Sequence, residues 1–319
     1  MNRISRTLAV PADFAGRRLD QAAAALLPEF SRSRLRTWIE GGELTVDGQS
    51  VRPRTLLKGG ERLALTAELA AAVEAGPEPI PLTVIHADDA LLVIDKPAGL
   101  VVHPGAGNRS GTLQNALLHR HPELAVLPRA GLVHRLDKDT SGLLLVARTL
   151  EAHVKLVAAL ERRAVKRTYQ AICQGVLTGG GSIDAPIARH RRERTKMAVS
   201  ESGRGARTHY RVVQRFRAHT HCEIELETGR THQIRVHMAH IRAPLVGDPV
   251  YGGRPKLPPA ASEELRVALQ TLGRQALHAS RLRLAHPTTG APLDFVSPLA
   301  PDLAALLDLL RADAAHATS

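Results

Sequence analysis

Residues 131–147 read Gly131-Leu132-Val133-His134-Arg135-Leu136-Asp137-Lys138-Asp139-Thr140-Ser141-Gly142-Leu143-Leu144-Leu145-Val146-Ala147. An apolar approach runs into His-Arg-x-Asp, a polar turn follows, and Leu143 to Ala147 reads as a buried strand. Polar groups on a loop beside a rigid strand are where catalytic side chains tend to sit. Asp137 can act as nucleophile or base, or it can simply bridge the turn. A catalytic triad of Ser141, His134 and Asp137 is rejected, because Ser141 stands in no Gly-x-Ser-x-Gly elbow.

Working outward, three further segments bear chemistry. Upstream, Lys96-Pro97-Ala98-Gly99 to Gly107 is glycine-rich but has the spacing of neither a P-loop nor a dinucleotide fingerprint. Downstream, Lys166-Arg167-Thr168-Tyr169 sets a tyrosine beside two cations. That pattern suits base stacking with phosphate contacts alongside, or a tyrosine that opens a core strand. Further on comes Glu227-Thr228-Gly229-Arg230-Thr231-His232-Gln233-Ile234-Arg235-Val236-His237. A strand from Gln233 would put Gln233, Arg235 and His237 on one face. His232, His237 and His240 raise a metal question. The neighbouring arginines argue against it, and no cysteine or close carboxylate pair completes a ligand set. An arginine here is better used on a carboxylate or phosphate.

The rest of the chain sorts into units. Residues 17–67 form a small one. It has a helix from Arg17 to Leu27, and a second, capped by Ser31 and carrying Leu35, Trp38 and Ile39, that ends at Gly41-Gly42. A hairpin with a two-residue turn at Asp47-Gly48 follows, then a strand Arg62 to Thr66. Residues 68–81 are an Ala/Glu-rich then proline-rich linker. Residues 82–312 form the second unit, and 313–319 a frayed tail. In the second unit, Leu82–Ile85, Leu91–Ile94, Tyr169–Val176, Ala206–Phe216, Cys222–Thr228 and Gln233–Met238 have strand character. Arg148–Arg163 is helical, with Leu150, Val154, Val157 and Leu160 on one stripe. Successive strands with few helices predict an α+β fold with a mixed, mainly antiparallel sheet.

Composition bounds the function. The 319 residues carry 43 Lys+Arg against 31 Asp+Glu, a formal charge of +12. Between Leu160 and Arg217 there are 14 basic and 4 acidic residues, so most of the excess lies in one segment. A polyanionic partner such as nucleic acid fits that concentration. Arg32, Arg34, Arg36, Arg52 and Arg54 form either a second basic face or a solvated helix surface. No apolar run approaches the roughly 20 residues of a membrane span, and the first 20 residues show no signal-peptide core. Two cysteines without a CxxC pair fit a reducing compartment, the cytoplasm.

His134-Arg135-Leu136-Asp137-Lys138-Asp139-Thr140-Ser141-Gly142-Leu143 resembles the signature of the RluA-type pseudouridine synthases. Lys166–Tyr169 and Glu227–His237 match that family's later motifs in residues and spacing, and the resemblance covers essentially the whole chain. Residues 17–67, through Ser31-Arg32-Ser33-Arg34 and Asp47-Gly48, resemble the small S4-like RNA-binding domain shared with a ribosomal small-subunit protein and tyrosyl-tRNA synthetases. Asp47 stands where Asn is more usual. Val102–Asn108, Ala239–Gly253 and Arg274–Ala279 are most similar to a branch acting on the helix 69 stem-loop of large-subunit (23S) ribosomal RNA.

The resemblance implies an isomerase that needs no cofactor and no metal. Asp137 matches the catalytic aspartate, whether as nucleophile on the anomeric carbon or as base on a ribose proton. Tyr169 matches a tyrosine that stacks on the target uracil and is a candidate acceptor of its carbon-5 proton. Arg235 matches the arginine that pairs with the aspartate, and Arg135 one that fills the space left by the flipped nucleotide. Arg32, Arg34, Lys166, Arg167, Arg230 and His232 are the further expected RNA contacts. Expected partners are large-subunit ribosomal RNA or pre-ribosomal particles, met as a monomer and without a membrane. The competing readings are a non-catalytic RNA-binding factor of ribosome biogenesis and a hydrolase built on His134 and Asp137.

Overall fold

The structure is a computed structural model that describes residues 3–30, 32–68, 76–105, 108–193 and 195–316. The first unit consists of β1 (Arg3–Ala9), α1 (Leu19–Leu26), α2 (Arg32–Gly41), β2 (Leu44–Val46) and β3 (Arg62–Glu68). Its antiparallel sheet runs β1-β3-β2, so residues 3–9, ahead of the 17–67 unit read from the sequence, supply an edge strand. Leu19, Ala22, Leu35, Ile39, Leu44, Leu63 and Leu65 make its core. Ser31, expected to cap α2, lies outside the described residues.

Asp47 and Gly48 have φ of 50° and 77°, and Val46 and Gln49 exchange backbone hydrogen bonds around them. That is the two-residue turn expected, since both central residues need positive φ. The hairpin does not continue beyond Gln49. β2 pairs with β3 instead, because Leu44 and Val46 complete the core over that strand.

The second unit contains β4 (Thr83–Ala87), β5 (Leu91–Lys96), α3 (Leu113–Arg120), β6 (Ser141–Ala147), α4 (Leu150–Glu161), β7 (Lys166–Gln174) and β8 (Gly181–Asp184). There follow β9 (Ile187–Arg189), β10 (Met197–Val199), β11 (Arg207–Arg215), β12 (His219–Leu226), α5 (Gln233–His240), α6 (Glu263–Thr271), β13 (Leu277–Ala285), β14 (Pro292–Val296) and α7 (Pro301–His316). The main sheet runs β4-β5-β6-β13-β7-β12-β11-β8, with β14 on β13. Every pairing is antiparallel except β6 with β13. The fold is α+β, as the strand-rich sequence implies.

β6 is buried along its whole length because it lies between two cores. Leu144 and Val146 face one with Leu92 and Ile94; Leu143, Leu145 and Ala147 face the other with Leu91 and Val93. Gly142 (φ 108°) is required where β6 meets β13, since a Cβ there would stand 2.3 Å from the Ala279 carbonyl oxygen. The described end of the linker docks on this unit. Glu78 accepts from the Gly111 amide at 2.9 Å, and the Asn115 amide group donates to the Gly76 carbonyl.

Three expectations need correction. Gln233–His240 is a helix, not a strand. Residues 233–238 are all buried, so no polar face marks the 3.6-residue period. Gln233, Arg235 and His237 therefore do not share a strand face. On α4 the face turned to the core is Ala152 and Leu156 with Ala159 and Leu160 partly buried beside them, whereas Leu150 and Val154 are 45% exposed. Finally, α7 continues through the segment expected to fray as far as His316, and Asp313 pairs with Arg217 at 3.0 Å. Residues 317–319 lie outside the described ones.

Candidate active site

Asp137 stands on the turn between Leu132, which bridges to Val146, and β6. His134 fixes the approach. Its Nε2 accepts the Leu145 amide at 3.0 Å, so the ring is a structural tie to β6 and not a partner of Asp137. The buried Leu136 anchors the next residue. The turn itself is held from four sides. Lys138 O accepts from the Lys96 ammonium at 2.8 Å and from the Gly99 amide at 3.0 Å. Asp139 O accepts from Arg274, and Thr140 Oγ1 from the Gln275 amide group at 2.9 Å. Such over-determination keeps a catalytic group in one geometry.

Arg235 reaches Asp137 from α5. Its Nη1 lies 3.3 Å from Asp137 Oδ2, while Nε and Nη2 donate to Asp248 at 2.7 and 2.9 Å. The Asp248 side chain is wholly buried and also accepts from the Val250 and Tyr251 amides. Burial pushes its carboxyl up; the Arg235 fork and the two amides outweigh that and hold it below its ordinary range. The Tyr251 ring lies 5.0 Å from the Arg235 guanidinium.

α5 can begin where it does because Gln233 ties down the preceding loop. Its side chain accepts from Arg230 N and Thr228 Oγ1 and donates to Arg207 O and Thr208 Oγ1. His232, just before the helix, has φ 56° and ψ 20°. This left-handed conformation costs a non-glycine residue about 1–2 kcal/mol. It directs Nδ1 to Tyr251 Oη at 2.9 Å and brings Nε2 to 3.9 Å from Asp137 Oδ1.

These groups open onto a cavity of about 450 Å³. Tyr169, on β7, forms part of its wall and is 5% exposed. Burial pushes the Tyr169 hydroxyl up, so it is a neutral phenol at physiological pH. Arg135, Arg163, Arg167, Arg204 and Arg230 also line the cavity, which gives it a cationic rim suited to phosphates. A second cavity of about 370 Å³ shares Arg135, Asp137, His232 and Arg235 as a common wall. Asp137 therefore stands between two cavities. Among the described residues no group of three or more His, Cys, Asp or Glu is placed to hold a metal.

Of the residues singled out in the sequence, Asp137, Tyr169, Arg235, Arg135, Arg167, Arg230 and His232 line this one cavity. Lys166 is exposed at the start of β7. Arg32 and Arg34 belong to α2 of the first unit. Arg32 pairs with the buried Asp20 at 2.6 Å, and Arg34 lies over the Trp38 ring. Asp248, Tyr251 and Lys96 were not singled out. Their only signal was position inside Ala239–Gly253 and Lys96–Gly107, segments whose partners are remote in sequence.

A cavity rimmed by arginines around the Asp137–Arg235 pair, in a unit preceded by a small one of two helices and three strands, has the makings of an enzyme site for a phosphate-rich substrate. Residues 90–240 match the RNA pseudouridylate synthase family, and residues 17–63 match the S4 domain. "Ribosomal large subunit pseudouridine synthase D" of Pseudomonas aeruginosa is 58% identical over 310 residues, covering 97% of each chain. The protein of the same name from Escherichia coli (strain K12) is 49% identical over 312 residues, covering 98% of this chain and 96% of the relative. The solved structure of human RNA Pseudouridylate Synthase Domain Containing 4 is 28% identical, with a TM-score of 0.55 over 72% of this chain and 92% of that one. The chain belongs to the RNA pseudouridylate synthase family, whose members are isomerases.

Proposed function

We propose that the protein converts specific uridines of large-subunit (23S) ribosomal RNA to pseudouridine, in the helix 69 stem-loop. The observation that carries this is Asp137, 3.3 Å from a buried Arg235 at the wall of a cationic cavity that also holds Tyr169. End-to-end similarity to relatives named for large-subunit pseudouridylation supports the choice of RNA.

The reaction breaks the bond between the uracil N1 and ribose C1′, turns the base, and joins C5 to C1′. Cleavage at an anomeric carbon calls for a carboxylate. Asp137 supplies it, either by attack on C1′ or by removal of a ribose proton. The leaving uracil delocalises its own charge, so one carboxylate suffices. Tyr169 stacks on the freed base. Because its hydroxyl is neutral, it takes the C5 proton only while releasing its own to water, and water returns one proton to the freed N1, so the isomerisation balances. Extruding the nucleotide costs a few kcal/mol. Arg135 fills the space it leaves, and Arg167, Arg230 and Lys166 offset the cost through phosphate contacts.

Residues 17–67, with Arg32 and Arg34, act as the RNA-recognition unit, 68–81 as the link, and 82–312 as the catalytic unit. The protein works as a monomer in the cytoplasm, on ribosomal RNA or pre-ribosomal particles. No helix among the described residues is long and apolar enough to cross a membrane.

Carbodiimide mapping of unmodified large-subunit RNA, treated with the wild type or with Asp137→Asn, tests this reading. New stops in the helix 69 loop with the wild type alone are expected. Stops elsewhere would reassign the site. Silence on both free RNA and precursor particles would favour a binding factor without catalysis.

A further inference from the structure

We infer that the turn Gly247–Tyr251 is a positioning element for the Asp137 carboxylate, acting through two separate arms: Asp248 through Arg235, and Tyr251 through His232. This rests on the reading of Asp137 as the catalytic carboxylate.

The turn is built rigidly. Val246 N donates to Ile172 O and Val246 O accepts from the Ala276 amide, so the turn begins pinned between β7 and the residue before β13. Gly247 (φ 70°) packs so closely that a Cβ would stand 2.3 Å from Arg274 O. Past the turn, Gly252 N donates to Asp248 O, and Gly252 O accepts from the buried Gln174 amide group. Asp248 Oδ1 also accepts from the Val250 and Tyr251 amides and so helps close the turn, a task that a neutral amide oxygen could do as well. The charge at 248 and the hydroxyl at 251 serve contacts outside the turn.

The first arm sets the charge. Asp248 takes Nε and Nη2 of Arg235 together as a fork, which leaves Nη1, on the other edge of the guanidinium, to reach Asp137 Oδ2 at 3.3 Å. One guanidinium is thus shared between two carboxylates, and the trio keeps a net negative charge. Asp137 is oriented by Arg235 without being neutralised by it. A two-pronged pair between Arg235 and Asp137 alone would occupy both of the oxygens that the chemistry needs.

The second arm faces the other oxygen. Tyr251 Oη accepts from the Met197 amide at 2.8 Å, which leaves its own proton for His232 Nδ1 at 2.9 Å. With Tyr251 as the donor in this pair, the imidazole N–H lies on Nε2, the nitrogen that faces Asp137 Oδ1 at 3.9 Å. The left-handed backbone at His232 is what turns the ring inward. The Tyr251 ring under Arg235 couples the arms mechanically. His232 is then a positioning residue, where a sequence reading alone made it an RNA contact.

The test measures kcat and KM of the full-length protein on unmodified large-subunit RNA, or on precursor particles if the wild type requires them. Tyr251→Phe and His232→Ala are each expected to lower kcat about tenfold with KM within about twofold. The double variant is expected to be no slower than the slower single one, because the two residues act as one arm. Asp248→Asn keeps acceptors for the Val250 and Tyr251 amides but removes the shared charge, and kcat is expected to fall about a hundredfold at unchanged KM. If that variant fails to fold, Asp248→Glu, which keeps the charge but lengthens the arm, takes its place with the same expected direction; wild-type kcat in whichever variant folds would overturn the first arm. Wild-type kcat in Tyr251→Phe, losses that appear in KM, or losses that multiply in the double variant would each overturn the inference. Wild-type turnover by Asp137→Asn would instead overturn the underlying reading of the site.

Discussion

The buried Lys96 ammonium donates to the Lys138 carbonyl at 2.8 Å, one residue beyond Asp137. Its other two protons go to Pro97 O at 2.7 Å and Leu100 O at 2.9 Å. One side chain thus joins the glycine-rich loop to the turn that carries Asp137. Burial pushes the amine down to about 7, opposed by Asp139 and Asp137.

Lys96→Met keeps the stem and removes every donor. Lys138 O keeps the Gly99 amide, while Pro97 O and Leu100 O are stranded at about 1–3 kcal/mol each, part of which is recovered by no longer burying a charge. The expected net loss is about 2–4 kcal/mol of unfolding free energy. A urea midpoint equal to the wild type would contradict this account.

Gly142→Ala should cost more than about 3 kcal/mol, since the added methyl meets the Ala279 carbonyl and the backbone sits at φ 108°. Gly179→Ala, which faces open space, is the control and should stay within about 0.5 kcal/mol. Equal thermal midpoints for the two variants would show that β6 and β13 can separate freely.

Tyr169→Phe preserves the ring and removes only the hydroxyl. RNA affinity is expected to hold within about twofold, since stacking supplies it. Turnover is expected to fall by about a hundredfold if the hydroxyl moves the C5 proton. Full activity in a tritium-release assay from C5-labelled RNA would remove the hydroxyl from the proton pathway.

Acid should unfold the protein well before its carboxylates are all protonated. Burial pushes His134 down to about 3 and His219 and His221 to about 4, from an ordinary value near 6.5. Between those limits the unfolded chain binds more protons than the folded one, so stability rises with pH. It is complete above about 6.5 and declines as pH falls toward about 4. A thermal midpoint that stays level from about pH 7 to about pH 4.5 would show that these rings protonate without cost.

How much could be read before folding differs from residue to residue. His134, Asp137 and the run Leu143–Ala147 announce themselves through local contrast, a polar turn against apolar neighbours. Tyr169 stands out because aromatic residues are scarce. Arg235 was visible as a residue but not as part of a helix, since burial on every side of 233–238 erases the period. Asp248 was not visible at all. A carboxylate beside Gly and Pro reads as an ordinary turn, and its partner lies on another element.

The sequence alone determined the α+β class, the presence of a small N-terminal unit, the basic character of the larger unit and the family. Each of these is written in local pattern, in composition or in contiguous motifs. Only the tertiary structure decided that Arg235 is divided between Asp137 and Asp248, that His232 turns inward on a left-handed backbone, and that Lys96 holds the turn beside Asp137. Those relations join residues as far as 98 positions apart. Hydrogen-bond geometry across such distances comes from how β6, β7, β13 and α5 pack, and no local pattern carries it.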